Sequence, residues 1–529
     1  MKKIFNTSAD CKPALHYMVN IDNKLAEIKE MVDRGDYFTI NRARQYGKTT
    51  TLKALGRYLE ADYFVLSLDF QKLSHQDFET EKLFVEALSR EILKKPCIRE
   101  NTSSEIIHGL EHFRDGAAPV VRLADLFSLL SEWCQISLKP VVFIVDEVDS
   151  ATNNQVFLDF LAQMRGYYID RDEIPFFRSV ILSGVYDVKN LKRKFVTEDS
   201  HKTNSPWNIA ADFHVDLSFG TSDIAGMLES YEQNHHTGMN TQCIAQLIYD
   251  YTSGYPFLVS SICKLVDERI VRRTSADGAR AWTREDVLNA VRILLSEQNT
   301  LFESLINKLE DYPELESTLR DLLFLGKEIP YVVGLRSIEM ALMFGFVKKE
   351  RHTIVIANRI FETLLYNLFL ASPSMQQNVL YNEALRDKNQ FICNGCLNMK
   401  LVLEKFVTHF DDLYGDRQQT FLEEDGRRYF LLYLRPIING SGNYYIESRT
   451  RNMERTDVIV DYHGEQFIIE LKLWRGNAYH ERGERQLSDY LDHYHLDKGY
   501  MLSFDFNLNK QIGVRELKIG DKILIEAVV

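Results

Sequence analysis

The chain has 529 residues, 45% of them hydrophobic and 26% charged, a globular composition that excludes a mainly disordered polypeptide and allows about three or four domains. A formal net charge of -13 argues against binding nucleic acid indiscriminately over the whole surface, although a local groove of Lys and Arg or bound metal ions can still supply positive charge. No apolar run reaches the roughly 18 residues of a membrane span, the N-terminus lacks the apolar stretch of a signal peptide, and seven scattered cysteines read as the reduced thiols of a cytoplasmic protein.

In chain order, Tyr37–Asn41, Tyr63–Phe70, Pro140–Asp146 and Phe177–Ser183 are short runs rich in Val, Ile and Phe, separated by helical stretches. They read as strands of a parallel sheet covered on both faces. The first is followed by Arg42-Ala-Arg44-Gln45-Tyr46-Gly47-Lys48-Thr49-Thr50 and then a helix. A Gly-Lys-Thr core at this place suits a loop whose backbone N–H groups cradle phosphates at a helix N-terminus. Lys48 would reach the β- and γ-phosphates of ATP, and the Thr49 hydroxyl would bind Mg²⁺. Arg42 stands where such a loop normally has its first glycine. The apolar run Val141–Val145 ends in Asp146 and Glu147. Asp146 would hold Mg²⁺ through water and Glu147 would orient or deprotonate the attacking water, the plainer alternative being an acidic turn after a buried strand.

From 221 to 297 the apolar period is helical, with helices expected at Thr221–His236, Asn240–Thr252, Pro256–Arg273 and Thr283–Glu297. Ser222-Asp223 is a cap for the first, and Thr283 with its acidic first turn starts the last. Helices followed by a hairpin at Gly345–Ile356 form a winged-helix-like module over 298–372, and Ala371–Gln377 reads as a linker. Over 373–529, helices to about Leu434 give way to strands at Asn443–Ser448, Thr456–Tyr462, Gln466–Leu473 and Gly499–Phe504, with a turn at His463-Gly464 and a helix at 479–494. Cys393 and Cys396 form a lone CxxC, which lacks the four ligands of a zinc site and reads as a loop with two free thiols.

Glu470 and Lys472, two apart on a strand, share one face, and Asp457 on the neighbouring strand can join them. Two carboxylates and a lysine on a twisted hairpin can hold Mg²⁺ or Mn²⁺ and steady charge on a phosphate. A surface hairpin with alternating Glu and Lys is the alternative. His493 and His495 read as a solvated helix end rather than metal ligands.

Two resemblances emerge from these motifs. Residues from about 10 to 370 resemble AAA-like ATPases of the STAND and archaeal-ATPase kind, whose loop often lacks the first glycine. The matching residues are Arg44-Gln45-Tyr46-Gly47-Lys48-Thr49, Ile181–Val185, Ser205–Ala210 and Thr252–Leu258. The resemblance implies a P-loop core over 1–220, a helical lid over 221–297, and ATP held by Arg44, Gln45, Tyr46, Gly47, Lys48, Thr49, Thr50 and Asp146. Ser183 stands at the place of a polar sensor of the γ-phosphate, or is a strand-end hydroxyl satisfied by backbone. Pro256 packs near adenine or simply starts a helix. Arg165 and Arg178 are charge-stabilising arginines, in cis or from a neighbouring subunit, or ordinary surface or ion-pair residues.

The C-terminal part resembles the PD-(D/E)XK nucleases. Asp457 is the first acid, Glu470 the second and Lys472 the lysine, with Thr456 in place of the motif's proline. Gln486 lies on the following helix, and Glu423 or Glu424 is a further acid. The fold implied is α/β, a P-loop parallel sheet with helical lid and winged-helix-like module, followed by a nuclease-like α/β domain. The resemblances imply ATP, Mg²⁺ or Mn²⁺, nucleic acid with DNA favoured over RNA, and a homo-oligomer. They leave open a nucleotide-driven switch or scaffold whose last domain only binds a partner or nucleic acid.

Overall fold

The computed structural model describes residues 3–96, 98, 102–116, 121–186, 207–271, 280–324, 329–372, 377–414, 423–438, 442–446, 458–463, 465–473, 487, 491, 496–505, 507 and 510–529. The chain divides into two compact units.

The first unit comprises Met1–Phe219 with two short returns, Tyr255–Ser260 and Met343–Gly345. Its strands β1 (Phe38–Asn41), β2 (Phe64–Asp69), β3 (Val141–Asp146) and β4 (Ser179–Gly184) form a parallel sheet in the order β1-β4-β3-β2. Every position of β3 and β4 is buried, because helices cover both faces. On one face, α1 (Asp22–Arg34) and α2 (Lys48–Leu59) pack Ile28, Val32, Leu52 and Leu55 against Ile40, Ile144 and Ile181. On the other lie α3 (Glu81–Leu93), α4 (Ser104–Arg114), α5 (Leu123–Ile136) and α6 (Gln155–Ile169), in a cluster rich in aromatic rings, Phe84, Phe127, Phe157 and Phe160 among them. Trp207 of the matched Ser205–Ala210 stretch stacks on Tyr37, ring centres 6.1 Å apart, and is a core residue. Parallel strands put all their C-terminal ends at one edge, so the loop after β1 and the acids after β3 lie at the same edge, with β4 between them.

The second unit comprises Gly220–Gly254, Ser261–Leu342 and Phe346–Val529. It opens with α7 (Thr221–His235) and α8 (Thr241–Thr252). Then come α9 (Pro256–Leu265), whose first turn belongs to the first unit, and α10 (Arg284–Ser296). Two expectations change here. Ser222 does not cap α7; Gly220 is the capping residue, and Asp223 accepts a hydrogen bond from its N–H at 2.8 Å. The helix expected over Pro256–Arg273 loosens into a wider π-helical stretch at Val266–Val271. Thr283 does cap α10, accepting from Asp286 N–H at 3.3 Å while Asp286 accepts from Thr283 N–H at 2.8 Å.

Next come α11 (Thr300–Asp311), α12 (Pro313–Phe324), α13 (Arg336–Met343) and α14 (Arg359–Leu370). They accompany a small antiparallel sheet of β5 (Ile329–Pro330), β6 (Val347–Glu350) and β7 (Thr353–Ile356), ordered β5-β7-β6. After α15 (Val379–Asp387), β8 (Ile392–Cys393) and β9 (Cys396–Leu397) pair as a two-residue hairpin. Asn394 and Gly395 supply positive φ values of 52° and 83°, as a type I′ turn requires. Cys393 and Cys396 are free and exposed, so the CxxC is a hairpin tip.

Two helices, α16 (Met399–Tyr414) and α17 (Glu423–Ile438), precede a six-stranded sheet. It contains β10 (Gly442–Ile446), β11 (Val458–Tyr462), β12 (Glu465–Leu473), β13 (Lys498–Phe504), β14 (Gly513–Ile519) and β15 (Lys522–Val528), ordered β10-β11-β12-β13-β15-β14. The adjacent strands β12, β13 and β15 run parallel and the other pairs antiparallel. One face packs on α16 and α17: Phe406 and Phe410 approach the Phe504 ring at 6.4 and 5.4 Å. The absence of a Cβ at Gly426 lets α17 lie on that same ring. The other face carries Gly499, beneath Leu487 and Leu491. The rest of the helix expected at 479–494 lies outside the described residues. Among the described residues no helix is long and apolar enough to cross a membrane.

Candidate functional site

Between β1 and α2 the backbone turns through two left-handed residues, Gln45 at φ 56° and Gly47 at φ 79°. Glycine adopts that geometry without a Cβ penalty, and Gly47 is the residue from which α2 starts at Lys48. No side chain caps this helix, so the first-turn N–H groups and the positive end of the helix dipole face the loop, ready for an anion.

Lys48 is buried, and its Nζ donates to the carbonyls of Arg42 at 2.9 Å and Ala43 at 3.1 Å. Burial holds its ammonium below the ordinary lysine range, against the pull of Glu147, Asp149 and Asp146. Thr49 Oγ1 donates to Asp146 Oδ2 at 2.7 Å, which joins the start of α2 to the end of β3. Thr50 Oγ1 accepts from Cys11 N–H at 3.2 Å and anchors the N-terminal segment. Glu147 is held at φ 54°, left-handed for a residue with a side chain. Burial raises its carboxyl above the ordinary glutamate range, and Asp146 and Asp149 add to this while Lys48 opposes it. Ser183 is wholly buried on β4 between the two elements, and its hydroxyl has no hydrogen-bond partner. The structure thus gathers Lys48, Thr49, Asp146, Glu147 and Ser183 at one edge of the sheet.

Arg42 occupies the missing glycine's place for a structural reason. Its guanidinium donates to the carbonyls of Asn41 and Val215, both at 2.9 Å, and lies 5.3 Å over Phe213. Arg44 is exposed and offers its carbonyl to Tyr255 Oη–H, while Tyr46 meets the Tyr255 ring edge-on at 4.8 Å. Pro256 begins α9 beside Gly47, the helix-starting role of its two readings. Arg178 does not serve this edge in cis: it precedes β4, at the opposite end of the sheet, and its guanidinium bonds the Asp33 carbonyl. Arg165 lies on α6 with its Nε buried. Asp149 was not singled out from the sequence. It accepts from Val185 N–H at 2.7 Å and Tyr186 N–H at 2.9 Å, fixing the end of β4 against the acidic turn; only its place three residues after Asp146 hinted at this.

In the second unit, β11 and β12 pair antiparallel with Val458 opposite Ile469 and Asp461 opposite Gln466. Glu470 and Lys472 share a face of β12, and Lys472 Nζ lies 2.7 Å from Glu470 Oε1. Glu470 is wholly buried, and apart from this ion pair its carboxylate oxygens have no hydrogen-bond partner. Ser503 stands opposite Lys472 on β13, also wholly buried and with its hydroxyl unbonded. Beyond Met501 on the same face, Glu526 of β15 is buried and ion-paired with Arg515 of β14. The sequence reading missed this second carboxylate because it found neither β14 nor β15. Asp457 and Gln486 lie outside the described residues, as do the side chains of Glu423 and Glu424.

Oxygen donors suit a hard cation such as Mg²⁺. Thr49 and Asp146 provide a hydroxyl and a carboxylate beside the anion-binding turn, and they fit. Glu470 has the character of a ligand, an acid buried with unused lone pairs, but it is one acid. Among the described residues no three His, Cys, Asp or Glu side chains group as a metal site.

No family model matches the chain, and no curated protein matches it. Solved structures do. A Walker-type ATPase of Pyrococcus abyssi is 15% identical, with a TM-score of 0.46, covering 68% of this chain and 99% of its own. An ORC1 protein of Aeropyrum pernix, solved in complex with DNA, is 14% identical, with a TM-score of 0.32, covering 66% and 93%. A RuvB Holliday junction branch migration motor of Thermotoga maritima is 13% identical, with a TM-score of 0.30, covering 64% and 92%.

Proposed function

We propose that this chain binds and hydrolyses ATP at the loop Arg44–Thr50, and that nucleotide there controls a metal-dependent phosphodiesterase on the C-terminal sheet that acts on nucleic acid, DNA before RNA. The observation that carries the first half is the hydrogen bond between Thr49 Oγ1 and Asp146 Oδ2 at 2.7 Å, directly after a left-handed glycine and a buried lysine. A hydroxyl at the start of α2 and a carboxylate at the end of β3, brought together beside an uncapped helix N-terminus, support a divalent-cation and phosphate site over an ordinary acidic turn.

Each residue has a task that its surroundings support. The turn from Gln45 to Thr50 binds the triphosphate through backbone N–H groups. Lys48 exchanges the carbonyls of Arg42 and Ala43 for phosphate oxygens, a favourable exchange because the acceptors become charged. Thr49 and Asp146 hold Mg²⁺, which supplies charge neutralisation on the phosphates. Glu147, its proton affinity raised by burial, orients the attacking water and takes its proton. Ser183 offers its unbonded hydroxyl as a donor at the same edge.

On the C-terminal sheet, Glu470 with Asp457 holds the cation, which supplies Lewis acidity toward the scissile phosphate. Lys472 stabilises the charge that develops there, and Gln486 positions substrate or water. The domain boundaries that accompany this reading are 1–220, 221–297, 298–372 and 373–529.

Glu147→Gln tests the hydrolytic assignment. ATP affinity is expected to stay at the wild-type value while turnover falls by about 10²–10⁴-fold, the usual worth of a positioned base. Filter binding and phosphate release measure the two. Full turnover in the variant would remove Glu147 from the chemistry.

A second reading is favoured by the Glu470–Lys472 pair, already closed at 2.7 Å and buried. In a nucleotide-driven switch or scaffold this pair is architectural, the last domain only binds a partner or nucleic acid, and the output is assembly of a homo-oligomer. Assembly would then need ATP and Lys48, and would be indifferent to changes at Glu470.

A further inference from the structure

Two tyrosines four residues apart hold different parts of the molecule. Tyr255 donates its phenol to the carbonyl of Arg44 in the phosphate loop and sits edge-on against Tyr46. Tyr251, at the end of α8, donates its phenol to Asp461 Oδ2 on β11 at 2.8 Å, and both partners are buried. The chain between them is a tight turn. Ser253 and Gly254 take φ values of 45° and 72°, and Thr252 Oγ1 bonds the Ile248 carbonyl at 2.7 Å while accepting from Gly254 N–H at 3.2 Å. The turn is thus held by its own hydrogen bonds directly between the two tyrosines.

Asp461 has a second suitor. It lines a small cavity together with Tyr251, Thr363 and Arg292. Arg292 Nη1 is held by Asn289 Oδ1 at 2.9 Å and by Glu285 Oε1 at 3.3 Å, but its Nε and Nη2 are buried and have no hydrogen-bond partner. Unbonded buried guanidinium donors beside a carboxyl group are an arrangement with a second, competing state. Asp461 also shares a face of the C-terminal sheet with Glu470, through Gln466 opposite it on β12.

We propose that Asp461 is a two-position relay between the phosphate loop and the C-terminal sheet, bonded to Tyr251 when the loop is empty and to Arg292 when nucleotide on the loop shifts Tyr255 and Tyr251 with it. The relay rests on the reading of the loop as an ATP site and names the regulation of the C-terminal site. It does not require that site to cut anything.

The test is hydrogen exchange of the Val458–Tyr462 amides in the full chain, with and without a non-hydrolysable ATP analogue and Mg²⁺, with nucleotide affinity measured in parallel. In the wild type the exchange of this strand changes several-fold on binding. In Tyr251→Phe the affinity is unchanged and the strand shows the nucleotide-bound rate without nucleotide. Arg292→Lys keeps a cation for Glu285 and Asn289 but removes the two donors, and it stays at the unbound rate when nucleotide binds; it carries the test should Tyr251→Phe fail to fold. A wild-type strand indifferent to bound nucleotide, or variants that respond as the wild type does, overturn the relay alone. No nucleotide binding by the wild type overturns the reading of the loop, and the relay with it.

Discussion

Lys48→Ala weakens ATP binding by about 100-fold, because the lysine contributes one or two charge-assisted hydrogen bonds of roughly 1.5–3 kcal/mol each and about 1.4 kcal/mol is a factor of ten. The fold survives the change. Lys48 bonds the Arg42 and Ala43 carbonyls, and water can replace it at both. The truncation also relieves the cost of keeping an ammonium buried, a cost visible in its depressed proton affinity. Titration calorimetry with Mg·ATP on wild type and variant, together with matching thermal melts, separates a binding defect from an unfolded protein. Equal affinities would mean that phosphate is not held at this loop.

On the proposed phosphodiesterase reading, Glu470→Gln is expected to lower metal-dependent cleavage of nucleic acid by about 10³-fold, several kcal/mol of transition-state stabilisation at roughly 1.36 kcal/mol per decade. Glutamine is the informative replacement. Alanine would leave Lys472 buried without its 2.7 Å partner, and stranding one member of a buried ion pair costs about 3–5 kcal/mol, enough to mimic a catalytic loss by unfolding. Glutamine fills the same volume and offers Lys472 a carbonyl oxygen, yet carries no charge for a cation. Cleavage rates, melting temperature and ATPase rate measured on one preparation give the expected pattern: the first falls steeply, the second falls modestly and the third is unchanged.

Local patterns were the legible part of the sequence. Val141–Val145 could be recognised as a buried strand because every side chain is apolar, and Gly47-Lys48-Thr49 because the turn needs a left-handed residue just before a helix. Side chains whose partners are distant in sequence were not legible. Arg42 looked like a defect in the loop until its bond to the Val215 carbonyl appeared, and Asp461 drew no notice because Tyr251 lies 210 positions away. The edge strand β14 carries Arg515, Glu516 and Lys518 and so has too little apolar alternation to stand out; β15, which carries Glu526, was not read either. The cap of α7 was misplaced by two residues because Asp223 reaches back to Gly220 from inside the helix, a capping-box geometry that reads equally well as a cap at Ser222. Glu470 and Lys472 were legible as a spacing, whereas their direct ion pair is a matter of rotamers.

The most direct test of a nucleotide-controlled phosphodiesterase is to incubate the wild-type chain with plasmid, linear duplex, single-stranded DNA and RNA, in Mg²⁺ or Mn²⁺, with and without ATP. Cleavage of at least one substrate at a rate that ATP changes is the predicted result. No cleavage in any lane, from protein that hydrolyses ATP, would contradict the account and leave the chain a nucleotide-driven switch.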